Sequence, residues 1–269
     1  MRVPFIKMHG LGNDFIVLDA RDAPLPPVDA DVARALADRH TGIGCDQLIL
    51  LQPSEQADFR MRIFNHDGGE VEACGNASRA VALLHAAPAR VETGGGLIDL
   101  RPADGGASVD MGVPRFGWED IPLAYPMDTL TMPVGWDMLE EPGAANVGNP
   151  HVVFFIEDCD AVPLETLGPL VETDALFPQA VNVNVATIES RTRLRLRVWE
   201  RGAGLTRACG TGACAAAVVA IRRKRVGRSV TVALPGGELQ IDWGEDGRIT
   251  MTGPATESFR GEFEWDDFA

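Results

Sequence analysis

A short motif occurs twice in the chain, about half a chain length apart. Glu72-Ala73-Cys74-Gly75-Asn76-Ala77 resembles Arg207-Ala208-Cys209-Gly210-Thr211-Gly212, and the two cysteines are 135 positions apart in 269 residues. Self-similarity at a fixed offset is the signature of a repeated structural unit. The same offset relates the strand-like segment 59–63 to 195–198, Asn65 to Glu200 and Gln47 to Asn182.

Two further matches extend the repeat in both directions. At an offset of 136, the segment 12–17 (Gly-Asn-Asp-Phe-Ile-Val) corresponds to 148–153 (Gly-Asn-Pro-His-Val-Val). Further along the chain, at a slightly larger offset, 110–114 echoes 250–254. Five features in the same order at nearly one offset predict two halves of like fold. We expect the halves to face each other across a pseudo-two-fold axis, with a domain junction in the Pro- and Gly-rich stretch 114–142.

Each copy of the motif places a cysteine just before a predicted helix: Cys74 before a helix over 76–87, and Cys209 before a helix over 211–226. Unpaired N–H groups at a helix N-terminus favour an anion, and such positions lower a thiol pKa from about 8.5 to ~3.5–7.5. One thiolate discourages a second one nearby, so Cys74 and Cys209 should share a single proton. A thiolate and a thiol on opposite faces of a substrate are what a two-base stereoinversion requires. The helix N–H groups could also hold a carboxylate.

Composition excludes several classes of function. The chain has 39 acidic and 24 basic residues, a formal charge of −15, which disfavours nucleic-acid binding. No segment approaches the ~20 apolar residues of a membrane span, and the N-terminus lacks a secretory signal, so we expect a cytoplasmic protein. Five cysteines, an odd number, indicate free thiols. The two lysines, Lys7 and Lys224, have no setting that suits a pyridoxal-phosphate Schiff base.

Four segments together resemble one known family. They are His9-Gly10-Leu11-Gly12-Asn13-Asp14-Phe15, Gly148-Asn149-Pro150-His151, Glu200-Arg201-Gly202-Ala203-Gly204 and Ala208-Cys209-Gly210-Thr211-Gly212-Ala213-Cys214. This combination is similar to diaminopimelate epimerase, and the likeness runs from Lys7 to about Pro254.

The resemblance implies an enzyme without cofactor or metal that interconverts LL- and meso-diaminopimelate for lysine and cell-wall precursor synthesis. It makes Cys74 and Cys209 the acid–base pair, and makes His151 and Glu200 the residues that tune the cysteine pKa values. Backbone N–H groups of Gly75-Asn76 and Gly210-Thr211 would hold the reacting carboxylate. Other substrate contacts would come from Asn13, Gln47, Asn65, Asn149, Asn182, Glu200 and Arg201.

The resemblance also implies a fold and an assembly. The expected class is α/β of the α+β type, with two similar pseudo-symmetric domains. Each domain is a curved, mostly antiparallel sheet around a central helix, and the site lies in the cleft between them. The expected domains are 1–116, to which a tail of 255–269 returns, and 117–254, in a homodimer.

The sequence departs from the family pattern at two positions. Ala77 replaces the glycine that the family usually has three residues after the first cysteine. We expect the helix to tolerate this change because a helix needs no glycine there. Phe259 stands where a tyrosine linked to dimerisation is expected, which bears on dimer strength. Neither change touches the catalytic pair.

The cysteines, the basic cluster and the function each have an alternative interpretation. Cysteine usually behaves as a small buried hydrophobe, which is our expectation for Cys45, Cys159 and Cys214. The cysteine spacings contain no C-x₂-C or C-x₃-C pair, which disfavours a zinc site and redox chemistry. The basic cluster 222–225 fits a helix C-terminus capped by Gly227 better than a nucleic-acid patch. The rival functions are a racemase for proline or hydroxyproline, a binding protein without chemistry, and a thiol redox protein.

Overall fold

The chain divides into two compact units. The structure, a computed structural model, describes residues 1–72, 74–103 and 106–268, so Ala73 of the first motif lies outside the described residues. Unit 1 comprises Met1–Val109 with Gly253–Ala269, and unit 2 comprises Asp110–Thr252. The unit boundaries thus fall seven and two residues before those predicted. Arg115 explains the first difference, because its backbone N–H and C=O both pair with Asn146 of unit 2.

Unit 1 is built from strands and two helices. Its helices are α1 (Ala30–Ala37) and α2 (Gly75–His85). Its strands are β1 (Arg2–Gly10), β2 (Asn13–Asp19), β3 (Gln47–Gln52), β4 (Phe59–Asn65), β5 (Glu70–Val71), β6 (Ala89–Thr93), β7 (Gly96–Ala103), β8 (Gly106–Gly112, which crosses the boundary) and, from the C-terminal tail, β19 (Thr256–Glu264). The β2–β3 and β4–β6 pairs are parallel, and the others are antiparallel.

Unit 2 is likewise built from strands and two α-helices. Its helices are α3 (Leu164–Glu172) and α4 (Gly210–Arg222). Its strands are β9 (Gly135–Trp136), β10 (Leu139–Glu140), β11 (Gly143–Asn146), β12 (Pro150–Phe155), β13 (Asn182–Ser190), β14 (Arg193–Glu200), β15 (Gly204–Thr206), β16 (Ser229–Leu234), β17 (Gly237–Trp243) and β18 (Ile249–Gly253). Here β12–β13 and β14–β16 are parallel. Both units are therefore mostly antiparallel sheets with few helices, which confirms the α+β class.

Strand register repeats between the units. In unit 1, Phe15 pairs with Gln47 and Ile49 with Ile63. In unit 2, His151 pairs with Asn182 and Asn184 with Val198. These are the partners that the offsets of 136 and 135 predict, so the sequence repeat is a repeat of hydrogen-bonded structure.

The helices α2 and α4 are the buried helices of their units. In α2 every residue from Asn76 to Ala82 is buried, and in α4 every residue from Gly212 to Ala220 is buried. Small residues allow this because strands can approach such a helix closely: α2 packs against β1 and β7, and α4 against β11, β12 and β17. The predicted starts at 76 and 211 are each one residue late.

The C-terminus of α4 differs from the prediction. The helix ends at Arg222, and Lys224 adopts a left-handed conformation (φ 58°). Gly227 is therefore not the cap, and its N–H instead bonds to the carbonyl of Arg191. The basic cluster does serve the helix end and its surroundings, because Arg223 donates to the carbonyls of Leu130 and Glu141. None of the helices in the described ranges is long and apolar enough to cross a membrane.

Candidate active site

Cys74 is the N-cap residue of α2 and is partly exposed. Its extended conformation (φ −147°, ψ 115°) ends the approach to the helix, as an N-cap requires. Asn13, at the start of β2, brings its Oδ1 to 4.0 Å from the Cys74 sulfur. The same Oδ1 accepts a hydrogen bond of 3.1 Å from Asn76 Nδ2. The structure thus brings three predicted site residues of unit 1 together at one helix N-terminus.

A charged network behind Asn13 orients its amide. Asp46 accepts hydrogen bonds from Asn13 Nδ2 (3.0 Å) and from the backbone N–H of Asp14 (3.1 Å). Arg39 bonds both carboxylates, and Lys7 bonds Asp14. Burial acts to raise the pKa of Asp14, but the hydrogen bonds from Arg39 and Lys7 prevail and hold that pKa well below its usual value. With Asn13 Nδ2 held by an anion, its Oδ1 must face Cys74.

Gln47 and Asn65 form a second group in unit 1. Gln47 Nε2 donates to Asn65 Oδ1 at 2.9 Å, across the paired strands β3 and β4. Gln47 Oε1 is buried and has no hydrogen-bond partner among the residues the structure describes. A buried acceptor without a partner is uncommon in proteins. This oxygen is therefore suited to a donor from a ligand, such as an ammonium.

Cys209 is likewise the N-cap residue of its helix, α4, but it lies in a more buried setting. The side chain is 3 % exposed, and its thiol donates to Glu200 Oε2 at 3.1 Å. The sulfur also lies 3.4 Å from the Thr211 hydroxyl and accepts the Gly212 N–H at 3.4 Å. These contacts join the predicted residues Glu200, Cys209 and Thr211 into one hydrogen-bonded group.

The environment of Cys209 keeps its proton on the sulfur. Burial raises the pKa of Cys209 well above its usual value, and the negative charge of Glu200 raises it further, while Thr211 and the Gly212 N–H act to lower it. The expectation that the helix N-terminus lowers this pKa is therefore wrong for Cys209, because burial and a neighbouring carboxylate outweigh the helix. Burial likewise raises the pKa of Glu200, against hydrogen bonds from Thr206 and the thiol.

The remaining predicted residues of unit 2 lie at the ends of β12, β13 and β14. His151 Nε2 lies 2.8 Å from Asn149 Oδ1. Asn182 Oδ1 accepts the backbone N–H of Arg201 at 3.0 Å, and its Nδ2 donates to the carbonyl of Pro150 at 2.8 Å. The Arg201 guanidinium is exposed and donates to the carbonyl of Gln179. These contacts fix the backbone from which Asn149 and Arg201 project.

The structure adds Asn184, which sequence reasoning missed. This side chain on β13 is fully buried, and its Nδ2 lies 3.1 Å from His151 Nδ1. The hydrogen-bond partners of His151 are thus Asn149 and Asn184, and its predicted role in tuning a cysteine stays a prediction. The repeat could not reveal Asn184 because the matching residue of unit 1 is Ile49. A polar residue at an otherwise apolar position of a buried strand was the one available signal.

The three remaining cysteines are not at the helix N-cap positions described above. Cys45, Cys159 and Cys214 are buried free thiols, as predicted. Burial raises the pKa of Cys45 to about 12, so it stays protonated at neutral pH. Within the described part of the chain, no group of three or more His, Cys, Asp or Glu side chains is placed to hold a metal ion.

The two half-sites are chemically unequal. Each offers a cysteine at a helix N-terminus, where backbone N–H groups can hold a carboxylate and stabilise charge that develops on it. Cys209 donates to a carboxylate oxygen, Glu200 Oε2, at 3.1 Å. Cys74 instead lies beside an amide oxygen, that of Asn13.

The chain is similar to known proteins over nearly its whole length. The family model described as Diaminopimelate epimerase matches residues 5–117 and 143–257. A diaminopimelate epimerase of Erythrobacter litoralis (strain HTCC2594) is 70% identical over 269 residues, covering 100% of both chains. One from Rhizorhabdus wittichii (strain DSM 6014) is 62% identical and covers 100% of this chain and 98% of its own.

A structural neighbour shows the fold alone. A Bacillus anthracis phenazine biosynthesis protein of the PhzF family aligns with a TM-score of 0.70 at 14% identity, covering 98% of this chain and 99% of its own. The sequence matches are far closer and span the repeated motifs of both units. This chain therefore belongs to the diaminopimelate epimerase family.

Proposed function

We propose that this chain interconverts LL- and meso-diaminopimelate by a two-base mechanism in which Cys74 and Cys209 are the acid–base pair. The observation that carries the proposal is their equivalence: each is the N-cap residue of the buried helix in its repeated unit. Family membership and the identity of 70% to a diaminopimelate epimerase support the substrate. The enzyme is accordingly an isomerase.

Inversion of the α-carbon needs one sulfur to remove the proton and the other to return one from the opposite face. As the C–H bond breaks, negative charge spreads onto the adjacent carboxylate. We assign the stabilisation of that charge to the backbone N–H groups of Gly75-Asn76 and Gly210-Thr211, at the first turns of α2 and α4. Such preorganised donors supply the stabilisation that a cofactor would otherwise provide.

The contact between Cys209 and Glu200 supports an assignment of the resting proton. With a carboxylate as acceptor of its S–H and with little exposure, Cys209 is the thiol of the resting enzyme. Because the pair shares one proton, Cys74 is then the thiolate. In the reverse direction the roles exchange, as microscopic reversibility requires.

Polar side chains on both units match the far end of diaminopimelate, which carries a second ammonium and carboxylate. Gln47 has a free acceptor for an ammonium, and Arg201 is an exposed cation. We assign the remaining contacts with the far end to Asn65, Asn149 and Asn182, and we assign Asn13 and Glu200 to the reacting end. A ring substrate such as proline needs none of the far-end groups.

We further propose that the chain works as a cytoplasmic homodimer in lysine and cell-wall precursor synthesis. Phe259 on β19 is 52 % exposed and packs edge-on against Phe5. An exposed aromatic side chain on a sheet face suits contact with a second copy. Analytical ultracentrifugation tests this: a dimer in the wild type and a monomer in Phe259→Asp support the interface, while an unchanged dimer excludes it.

The activity is tested with reduced protein and LL-diaminopimelate in D₂O. The expected product is the meso isomer carrying deuterium at the inverted α-carbon. Cys74→Ala and Cys209→Ala should each abolish formation of this inverted product. Cys45→Ala and Cys214→Ala, which remove buried thiols of the same two units, should still form it. Absence of exchange from every diaminopimelate isomer would contradict the proposal.

The rival functions give different results in the same assay. Faster α-proton exchange from proline or hydroxyproline than from diaminopimelate would identify a related racemase. Activity that is present only in oxidised protein and lost with dithiothreitol would identify a thiol redox protein. Binding of diaminopimelate without any exchange would identify a binding protein.

A further inference from the structure

The buried amide of Asn184 has an unambiguous orientation. Its Nδ2 lies 2.9 Å from the carbonyl oxygen of Val152 and 3.3 Å from that of Asn182. Carbonyl oxygens only accept hydrogen bonds, so the atom facing them must be the NH₂ group. The same nitrogen lies 3.1 Å from His151 Nδ1, which must therefore accept.

This orientation fixes the tautomer of His151. The imidazole is fully buried, and burial lowers its pKa to about 3, so the ring is neutral over the working range. A neutral imidazole with Nδ1 as acceptor carries its proton on Nε2. Nε2 lies 2.8 Å from Asn149 Oδ1 and so donates to it.

The tautomer of His151 in turn determines the orientation of the Asn149 amide. Asn149 is partly exposed, and its amide oxygen accepts one hydrogen bond, from His151. The oxygen therefore faces the ring, while the NH₂ group, which can only donate, lies on the other branch of the amide. A donor pair suits a carboxylate and disfavours an ammonium.

The other end of the Asn184 amide explains a glycine at the start of α4. Asn184 Oδ1 is buried and has no hydrogen-bond partner among the described residues. A Cβ at Gly212 would lie 2.6 Å from it, closer than real Cβ contacts. The matching positions in unit 1 are Ile49 and Ala77, so where the amide is absent the glycine is absent as well. Asn184 and Gly212 therefore form a matched pair that only unit 2 has.

We propose that Asn184 is a positioning residue for substrate recognition. By donating to His151 Nδ1 it keeps the ring proton on Nε2, which holds the oxygen of Asn149 and leaves the Asn149 NH₂ group to bind the far carboxylate of the substrate. The assignment of the far carboxylate rests on the proposed function.

The first test is spectroscopic and needs no variant of Asn184. Imidazole ¹⁵N NMR of histidine-labelled protein, with the His151 signals identified by their loss in His151→Gln, reports which ring nitrogen carries the proton. The proposal requires a proton on Nε2 and none on Nδ1 between about pH 6 and about pH 8. A proton on Nδ1 would overturn it whether or not the enzyme acts on diaminopimelate.

The second test separates recognition of the carboxylate from turnover. L-2-Aminopimelate keeps the far carboxylate, and L-lysine keeps only the far ammonium. In Asn184→Leu, the inhibition constant of aminopimelate and the KM of diaminopimelate should rise about tenfold, the size of one lost hydrogen bond to a charged group. The constant for lysine and kcat should change less than about threefold, a small difference on the same scale.

A control separates this from general damage to β13. Thr187→Val removes another buried polar group of that strand, the acceptor of the Cys159 N–H, and should leave both inhibition constants unchanged. Equal changes for aminopimelate and lysine, or a fall in kcat alone, would refute the role of Asn184. A wild-type enzyme that fails to exchange diaminopimelate at all would instead refute the proposed function.

Discussion

Replacing His151 with glutamine should make the protein less sensitive to mild acid. The His151 ring is fully buried with a pKa of about 3, against 6.5 for a free histidine. Below pH 6.5 His151 therefore binds a proton in the unfolded chain but not in the folded chain. The free energy of unfolding falls as the pH is lowered, until the pH reaches the folded pKa near 3. Glutamine does not titrate, yet it can still donate to Asn149.

The size of the effect follows from the two pKa values. Each unit below 6.5 removes about 1.4 kcal/mol, so lowering the pH from 8 to 5 should remove about 2 kcal/mol through His151 alone. Other groups also titrate in this range, so the prediction concerns a difference: the wild type should lose about 2 kcal/mol more than His151→Gln between these pH values.

Urea unfolding followed by tryptophan fluorescence measures this difference. Four of the five tryptophans lie in unit 2 with His151, so the signal reports mainly on that unit: Trp118, Trp136, Trp199 and Trp243. If wild type and variant lose the same free energy from pH 8 to pH 5, His151 does not have the strongly lowered pKa on which the reasoning depends.

Three further predictions concern the two helix N-termini and one inert thiol. Glu200→Gln removes the charge that raises the pKa of Cys209, so the limb of the pH profile of kcat/KM that reports this thiol should move to lower pH; an unmoved limb would refute the assignment. Gly212→Ala should destabilise the protein by about 1–3 kcal/mol through overpacking, whereas Ala77→Gly should cost only about 1 kcal/mol of helix propensity; urea unfolding distinguishes the two, and a stabilised Gly212→Ala would contradict the clash. Cys45, with a pKa raised to about 12 by burial, should resist iodoacetamide at pH 8 in native protein, as mass spectrometry can check; rapid labelling would contradict its burial.

The repeat made much of each half-site predictable. A motif that places Ala-Cys-Gly before an apolar helical pattern located Cys74 and Cys209 as N-cap residues, and the offset correctly matched the strand pairs around them. Local patterns suffice here because helix starts and strand register depend on nearby sequence.

The properties that depend on tertiary structure were not predictable in this way. The direction of the Cys209 pKa follows from burial and from Glu200, nine residues away. The end of α4 was misplaced because Lys224, not Gly227, takes the left-handed position. Asn184 has no counterpart in unit 1, so the repeat could not identify it, and its role follows from its contacts with His151 and Val152.

The most direct test of the two-base mechanism is the stereochemistry of exchange in single-cysteine variants. In D₂O, each variant retains one sulfur, which can remove and return a proton on its own face but cannot invert the centre. Cys74→Ala and Cys209→Ala should therefore exchange the α-hydrogen of opposite stereoisomers, one at an L centre and the other at the D centre of meso-diaminopimelate, both with retention. Exchange of the same isomer by both variants, or inversion by either, would contradict the assignment of one cysteine to each face.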